Sequence, residues 1–197
     1  MLIAGRTVFR DRVSAAAGLA TLTALIAMEA SDVVTRPAAG DDVHDEGTAR
    51  LFTGGMAVAV ATGSASLLRR GGRPLPRSRA GFWGGLLVVW AGIGLNRWAR
   101  NALARNYRPL VTIVEGHEVV DGGPYTLVRH PMYLGSTMIC LGVAAALSTG
   151  PTAVAWTLPP LALVRRITVE ERALAAGLGE RYETFAASRA RLLPGLW

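Results

Sequence analysis

Five apolar runs, each close to the length a helix needs to cross a bilayer, constrain this chain more than any other feature. A crossing takes about 20 apolar residues, and somewhat fewer where flanking side chains snorkel or the membrane thins. The runs are Val13 to Met28, Leu51 to Leu68, Ala80 to Ala99, Met132 to Ser148 and Pro151 to Val164. They predict an all-α fold: a polytopic integral membrane bundle of about five transmembrane helices, near 13–30, 51–68, 80–99, 132–148 and 151–164, within one membrane domain spanning 1–197. The fifth run holds Pro159 and Pro160, which should kink it and leave it tilted or only partly spanning. Only "STG" separates the fourth run from Pro151, so these two should form a tight antiparallel hairpin.

Composition agrees with a lipid environment. The chain is 51% hydrophobic with a mean hydropathy of +0.32, too oily for an ordinary soluble domain of 197 residues. Its net charge of +7 raises nucleic acid as a partner, but all 21 basic residues are arginines that punctuate the apolar runs and form no single patch. Membrane lipids explain that distribution better, and nucleic acid is not expected. Small residues in "AAAGLA", "GGMAVAVATGSAS" and "GVAAAL" let helix backbones approach closely. Trp83 and Trp98, near opposite ends of the third run, suit the two interfacial belts. With five spans, thirteen arginines fall on the side holding the C-terminus and eight on the other. The positive-inside rule then puts the C-terminus in the cytoplasm, and a bacterial inner membrane is the expected location. Cys140 is the only cysteine, which excludes internal disulfides.

Two polar-rich stretches, Asn96 to His130 and Arg165 to Trp197, end up on one membrane face under this topology. The first contains "EGHEVVDGGPYTLVRHPMYLG", in which Gly122, Gly123 and Pro124 mark a turn and Pro131 fits the first position of a helix. The residue before proline avoids the α region, so His130 should be extended or capping. Arg129, His130 and the free N–H groups of the fourth helix then face one interfacial space that favours an anion. The second stretch contains "RRITVEERALAAGLGERYETFAASRARLLPGLW", where Arg166 and Glu170 make an i,i+4 pair while Glu171 points elsewhere. Alone, it reads as an amphipathic helix lying on the cytoplasmic membrane surface.

Taken together, "HEVVDGGPYTLVRHPMYLG", "RITVEERAL", "LGERYETF" and "RARLLP" resemble the isoprenylcysteine carboxyl methyltransferase group of integral membrane methyltransferases, related to the phospholipid N-methyltransferases. The resemblance covers roughly His117 to Pro194 in the same order and spacing. It implies methyl transfer from S-adenosylmethionine to a lipophilic acceptor at the cytoplasmic membrane face, with the cofactor-binding part over 115–197. On the matching positions it implies His117, Tyr125, His130, Pro131, Tyr133, Leu134 and Glu171 as cofactor-binding residues, with Arg129 and Glu170 beside the reacting centre. The separate roles of the two glutamates stay open. Phe185 departs from the pattern, since many relatives carry tyrosine there.

The chemistry is consistent with those residue types. A sulfonium is a cation, and a water-poor pocket holds it with aromatic faces or carboxylates. A carboxylate acceptor is already ionised at neutral pH and needs a partner that orients it, a role suited to Arg129. An amine acceptor must lose a proton, which suits Glu170. Carboxyl methylation of a lipid or isoprenoid acid is the preferred expectation, with phospholipid or amine N-methylation and a non-catalytic lipid-binding module as alternatives. A relative of the membrane sterol reductases ranks last, because such chains are usually longer. No metal is expected: the loop "DDVHDE" is a solvated connection and no other ligand set converges. No glycine fingerprint of a dinucleotide fold is present.

Overall fold

The computed structural model describes residues 18, 20–21, 46–69, 79–103, 119–147, 150–195 and 197. The described structure is all-helical: α1 (Thr48–Arg69), α2 (Arg79–Leu103), a 3₁₀ turn (Gly123–Thr126), α3 (Pro131–Leu147), α4 (Pro151–Ala155), α5 (Leu158–Leu178) and α6 (Glu180–Ala187). Among the described residues the only β-type pairing is an isolated parallel bridge between Val128 and Ala190.

Helices α2 and α3 form the most extensive contact, and glycines explain why they meet so closely. Gly85 and Gly92 lie two turns apart on one face of α2, as Gly135 and Gly142 do on α3. A Cβ on Gly92 would stand 2.6 Å from the Gly135 carbonyl oxygen, and one on Gly142 would stand 2.7 Å from that of Gly85. The helices therefore run antiparallel with backbone against backbone. Val89, Ile93, Ile139 and Val143 fill one stretch of this seam, and Phe82, Leu86 and Ala146 another. Asn96 sits 2% exposed one turn beyond Gly92. Its amide donates to the Met132 carbonyl and to Ser136 Oγ, both at 3.2 Å, so a buried polar group is satisfied inside an apolar interface.

A second antiparallel pairing joins α1 to α4 and α5. A Cβ on Gly55 would lie 3.2 Å from the Pro159 nitrogen, and one on Gly63 would lie 3.7 Å from the Thr152 methyl. At the far end Arg166 Nη1 donates to the Thr48 hydroxyl at 3.3 Å.

The all-α expectation holds; the five spans do not appear in the predicted form. Among the described residues, no helix is long and apolar enough to cross a membrane. Physical reasons differ by element. Helix α3 has 17 residues, a length of about 25 Å at the α-helical rise. Helix α2 is long enough but takes in Asn96, Arg97 and Arg100 before it ends. The run 13–30 lies almost wholly outside the described residues. The run 151–164 is not one segment: the chain turns at Trp156 and Thr157, and α5 then continues to Leu178 with Arg165, Arg166, Glu170, Glu171 and Arg172 on it. Pro159 and Pro160 do not kink a helix interior, because they fall in the first turn of α5, where backbone N–H groups have no intrahelical acceptor anyway.

Large apolar side chains point outward along these helices. Trp83, Leu87, Trp90 and Trp98 on α2, Val58 and Val60 on α1, and Leu161 and Val164 on α5 are all exposed.

Candidate functional site

The site forms where the loop entering α3 meets the second half of α5 and the segment after α6. Gly123, at φ +60°, turns the chain into the 3₁₀ element, after which Val128 pairs with Ala190 in the isolated bridge and the chain bends at Arg129. Arg129 N–H donates to the Ala190 carbonyl at 2.8 Å and His130 N–H to that of Arg191 at 3.0 Å. These two bonds fix both side chains in register with the C-terminal segment. Helix α3 starts at Pro131, and the His130 carbonyl accepts from Leu134 N–H at 3.1 Å, so His130 caps the helix start.

Glu171 is the electrostatic centre. Its Oε1 lies 3.1 Å from His130 Nε2 and 3.3 Å from Arg129 Nη1, and its Oε2 accepts from Arg191 Nε at 2.8 Å. Burial pushes this carboxyl up, but the hydrogen bonds from His130 and Arg191 and the charges of His130 and Arg129 outweigh it and hold the group below the usual carboxylate range. An ionised carboxylate only accepts, so the imidazole carries its proton on Nε2.

Glu170, one residue earlier, faces a separate partner. Tyr133 donates its hydroxyl proton to Glu170 Oε2 at 2.6 Å while accepting from Arg166 Nε at 2.9 Å. The arginine occupies the tyrosine's acceptor side, which directs the single phenolic proton to the glutamate. The Tyr133 ring stacks on His130 with centroids 5.6 Å apart and an interplanar angle of 18°. The two glutamates thus hang from one network that also reaches Thr48 on α1 through Arg166.

The residues expected from the sequence are distributed as follows. Arg129, His130, Pro131, Tyr133, Leu134, Glu170 and Glu171 come together at the α3 start and on α5. Within this group Arg129 pairs with Glu171, the glutamate it had not been coupled to in the sequence reading. Tyr125 is buried in an apolar cluster with Ala99, Tyr182 and Phe185. His117 lies outside the described residues. Phe185, the departure from the family pattern, packs in the same cluster beneath the Arg189 guanidinium, which is 4.6 Å from its ring centroid.

Sequence reasoning missed Arg191, Asn96 and Tyr182, and it paired Arg166 with Glu170 without foreseeing that Tyr133 stands between them. Tyr182 carried a detectable signal: with Leu178 and Phe185 it makes an apolar stripe through an otherwise charged stretch. Next to this stripe an open cleft of about 670 Å³ separates α6 from the entry to the 3₁₀ turn, lined by residues that include Asp121, Arg181, Thr184, Phe185 and Arg189. None of the side chains expected from the sequence lines it. The cleft nevertheless lies between the two polar stretches expected to build the cofactor pocket, and its size is within the range of small-molecule sites.

The buried polar atoms bear on whether the site fits a ligand. Arg129 Nε, Tyr182 Oη and Arg189 Nε are buried without a hydrogen-bond partner among the described residues. Native structures leave few such groups unsatisfied, so each of these three atoms calls for a partner. No group of side chains able to hold a metal occurs among the described residues.

A family model described as phospholipid methyltransferase matches residues 80–181, just over half of the chain. No curated protein matches the chain significantly. The matched span contains α2, the Arg129-to-Tyr133 loop, Arg166 and both glutamates, and it ends before Tyr182 and Arg191.

Proposed function

Because the chain belongs to the phospholipid methyltransferase family, a family of methyltransferases for lipid-like substrates, we propose that it transfers a methyl group from S-adenosylmethionine to a lipophilic acceptor at the cytoplasmic face of a membrane. The observation that carries this reading is the convergence of Arg129, His130, Tyr133, Glu170 and Glu171 from two stretches far apart in sequence. S-adenosylmethionine supplies a cationic sulfur bearing an electrophilic methyl. Toward such a group the chain offers two carboxylates and the stacked His130 and Tyr133 rings, a set suited to a positive charge in a water-poor place. The residues bind and orient; they are not required to make a strong base for a carboxylate acceptor, which is ionised already. Arg129 turns such an acceptor toward the reacting centre, and closure around both partners excludes water.

The preferred acceptor is the carboxylate of a lipid or isoprenoid acid. A second reading is amine methylation, as the family description implies, and Glu170 supports it: Tyr133 engages one of its oxygens, leaving the other suited to take a proton. The exposed tryptophans and aliphatic side chains along α1, α2 and α5 support contact with membrane lipids. The arginine distribution favours a cytoplasmic C-terminus.

Incubating the purified chain with methyl-labelled S-adenosylmethionine and a total lipid extract tests this function. The expected result is one labelled lipid, base-labile if it is an ester and base-stable if it is a methylated amine. Failure to bind S-adenosylhomocysteine at millimolar concentration would end the methyltransferase reading.

A further inference from the structure

We propose that Asn96 is a positioning residue of this site: from α2 it fixes the register of the first turn of α3, and through that turn the alignment of Tyr133 with Glu170. Only the turnover readout of this proposal rests on the methyltransferase reading.

Asn96 is 2% exposed, and the partners of its side chain leave the amide a single orientation. Its Nδ2 lies 3.2 Å from the Met132 carbonyl oxygen, which can only accept, and 3.2 Å from Ser136 Oγ. Its Oδ1 lies 2.6 Å from Arg100 Nε, which can only donate. Turning the amide over would set like groups against each other on both sides. Both ends of the side chain are therefore engaged, one on its own helix and the other on α3. Its seat over α3 is equally tight: a Cβ on Gly135 would stand 3.1 Å from the Asn96 backbone nitrogen and 3.2 Å from the Asn96 Cβ.

What the amide contributes follows from what surrounds it. The seam is built from glycines that bring backbone against backbone and from Val89, Ile93, Ile139 and Val143. Apolar contact is non-directional, and a glycine surface offers few side-chain ridges that resist sliding or rotation. A buried polar group in an apolar helix interface adds little stability over an apolar residue of the same shape, and its best-attested role is to specify register. Register matters here because Met132 immediately precedes Tyr133. The Tyr133 hydroxyl donates to Glu170 at 2.6 Å and accepts from Arg166 at 2.9 Å, and its ring stacks on His130. One residue of slip along a helix is about 1.5 Å of rise and about 100° of rotation. Half that rise along the bond carries the 2.6 Å Tyr133–Glu170 contact past the usual O–H···O limit of about 3.0 Å.

The test is a double-mutant cycle on the full chain in detergent, crossing Asn96→Leu with Tyr133→Phe and reading thermal unfolding and turnover. If Asn96 acts through Tyr133, the second substitution meets an interaction that is already lost. Tyr133→Phe should then lower the melting temperature less than about half as much in the Asn96→Leu background as in wild type, and its loss of turnover should shrink from about tenfold to under about twofold. Asn96→Asp separates positioning from simple anchoring of Arg100. It keeps the shape and the acceptor for Arg100 but sets an oxygen against the Met132 carbonyl, so turnover should fall about as far as in Asn96→Leu. The proposal is overturned if the two substitutions add in melting temperature or multiply in turnover, or if Asn96→Asp stays within about twofold of wild type. Should Asn96→Leu fail to fold, Asn96→Ala runs the same cycle. Wild-type protein that shows no turnover with any lipid acceptor would remove the methyltransferase reading alone, because the unfolding cycle still reports on Asn96.

Discussion

Replacing Glu171 with glutamine keeps the side chain's shape and removes the charge around which the site is arranged. The carboxylate accepts from His130, Arg129 and Arg191 at 3.1, 3.3 and 2.8 Å, with side-chain exposures of 5%, 15% and 34% for those partners. Removing one member of a buried ion pair costs about 3–5 kcal/mol, whereas an exposed pair is worth under about 1. Arg191 is about one-third exposed and counts near the low figure, while Arg129 and His130 count nearer the high one. The glutamine carbonyl keeps one bond, and its amide faces the remaining donors without an acceptor. The net loss is about 3 kcal/mol, or roughly 6–12 °C in melting temperature for a chain of this size. Thermal unfolding in detergent at pH 7 measures it, with Glu183→Gln on exposed α6 as the control. The pH dependence supplies an independent sign. Because the folded-state pKa of Glu171 is depressed, its stabilisation is present above the unfolded value of about 4.3 and is lost as pH falls through the folded value. Wild type should therefore lose more stability than Glu171→Gln on acidification below about pH 4.5. A variant that melts within 2 °C of wild type at pH 7, about 0.5–1 kcal/mol, would refute the assignment of Glu171 as the organising charge.

Other substitutions test other parts of the argument. Tyr133→Phe removes a hydroxyl that donates to Glu170 and accepts from Arg166; stability should fall by about 1–3 kcal/mol and turnover at saturating acceptor by at least tenfold, read by calorimetry and steady-state kinetics. Gly92→Ala brings a methyl within 2.6 Å of a backbone oxygen, so despite alanine's better helix propensity it should destabilise by about 2 kcal/mol or more; a neutral effect in thermal unfolding would mean that the α2–α3 seam can open. Thr48→Val deletes the hydroxyl that meets Arg166, and turnover should drop by about five- to tenfold and recover in Thr48→Ser.

Helix positions were legible where a local signal existed. The second and third apolar runs fall inside α1 and α2, and Pro131 opens α3 as its position next to His130 implies. The convergence of the loop before α3 with the glutamate pair was also foreseen, through the resemblance of the two stretches. What stayed hidden was set by contacts remote in sequence. Arg191 reads locally as one more surface arginine, and only the bridge between Val128 and Ala190 brings it to Glu171. Asn96 reads as the polar end of an apolar run, yet it lies fully inside the α2–α3 seam because close glycine packing brings the Met132 carbonyl within reach. The extent of α5 was not legible because the apolar run stops at Val164 while the helix continues through Arg165, Arg166, Glu170, Glu171 and Arg172; the double proline marks the start of this helix, just after the interruption at Trp156 and Thr157.

The two backbone bonds from Arg129 and His130 to residues 190 and 191 also order events in time. During synthesis, α1, α2 and α3 emerge well before the segment that fixes those side chains, so a nascent chain can pack its glycine seam while the site is still unformed. A ribosome stalled anywhere short of Ala190 would hold a helical bundle whose Arg129 and His130 have no rail to sit on.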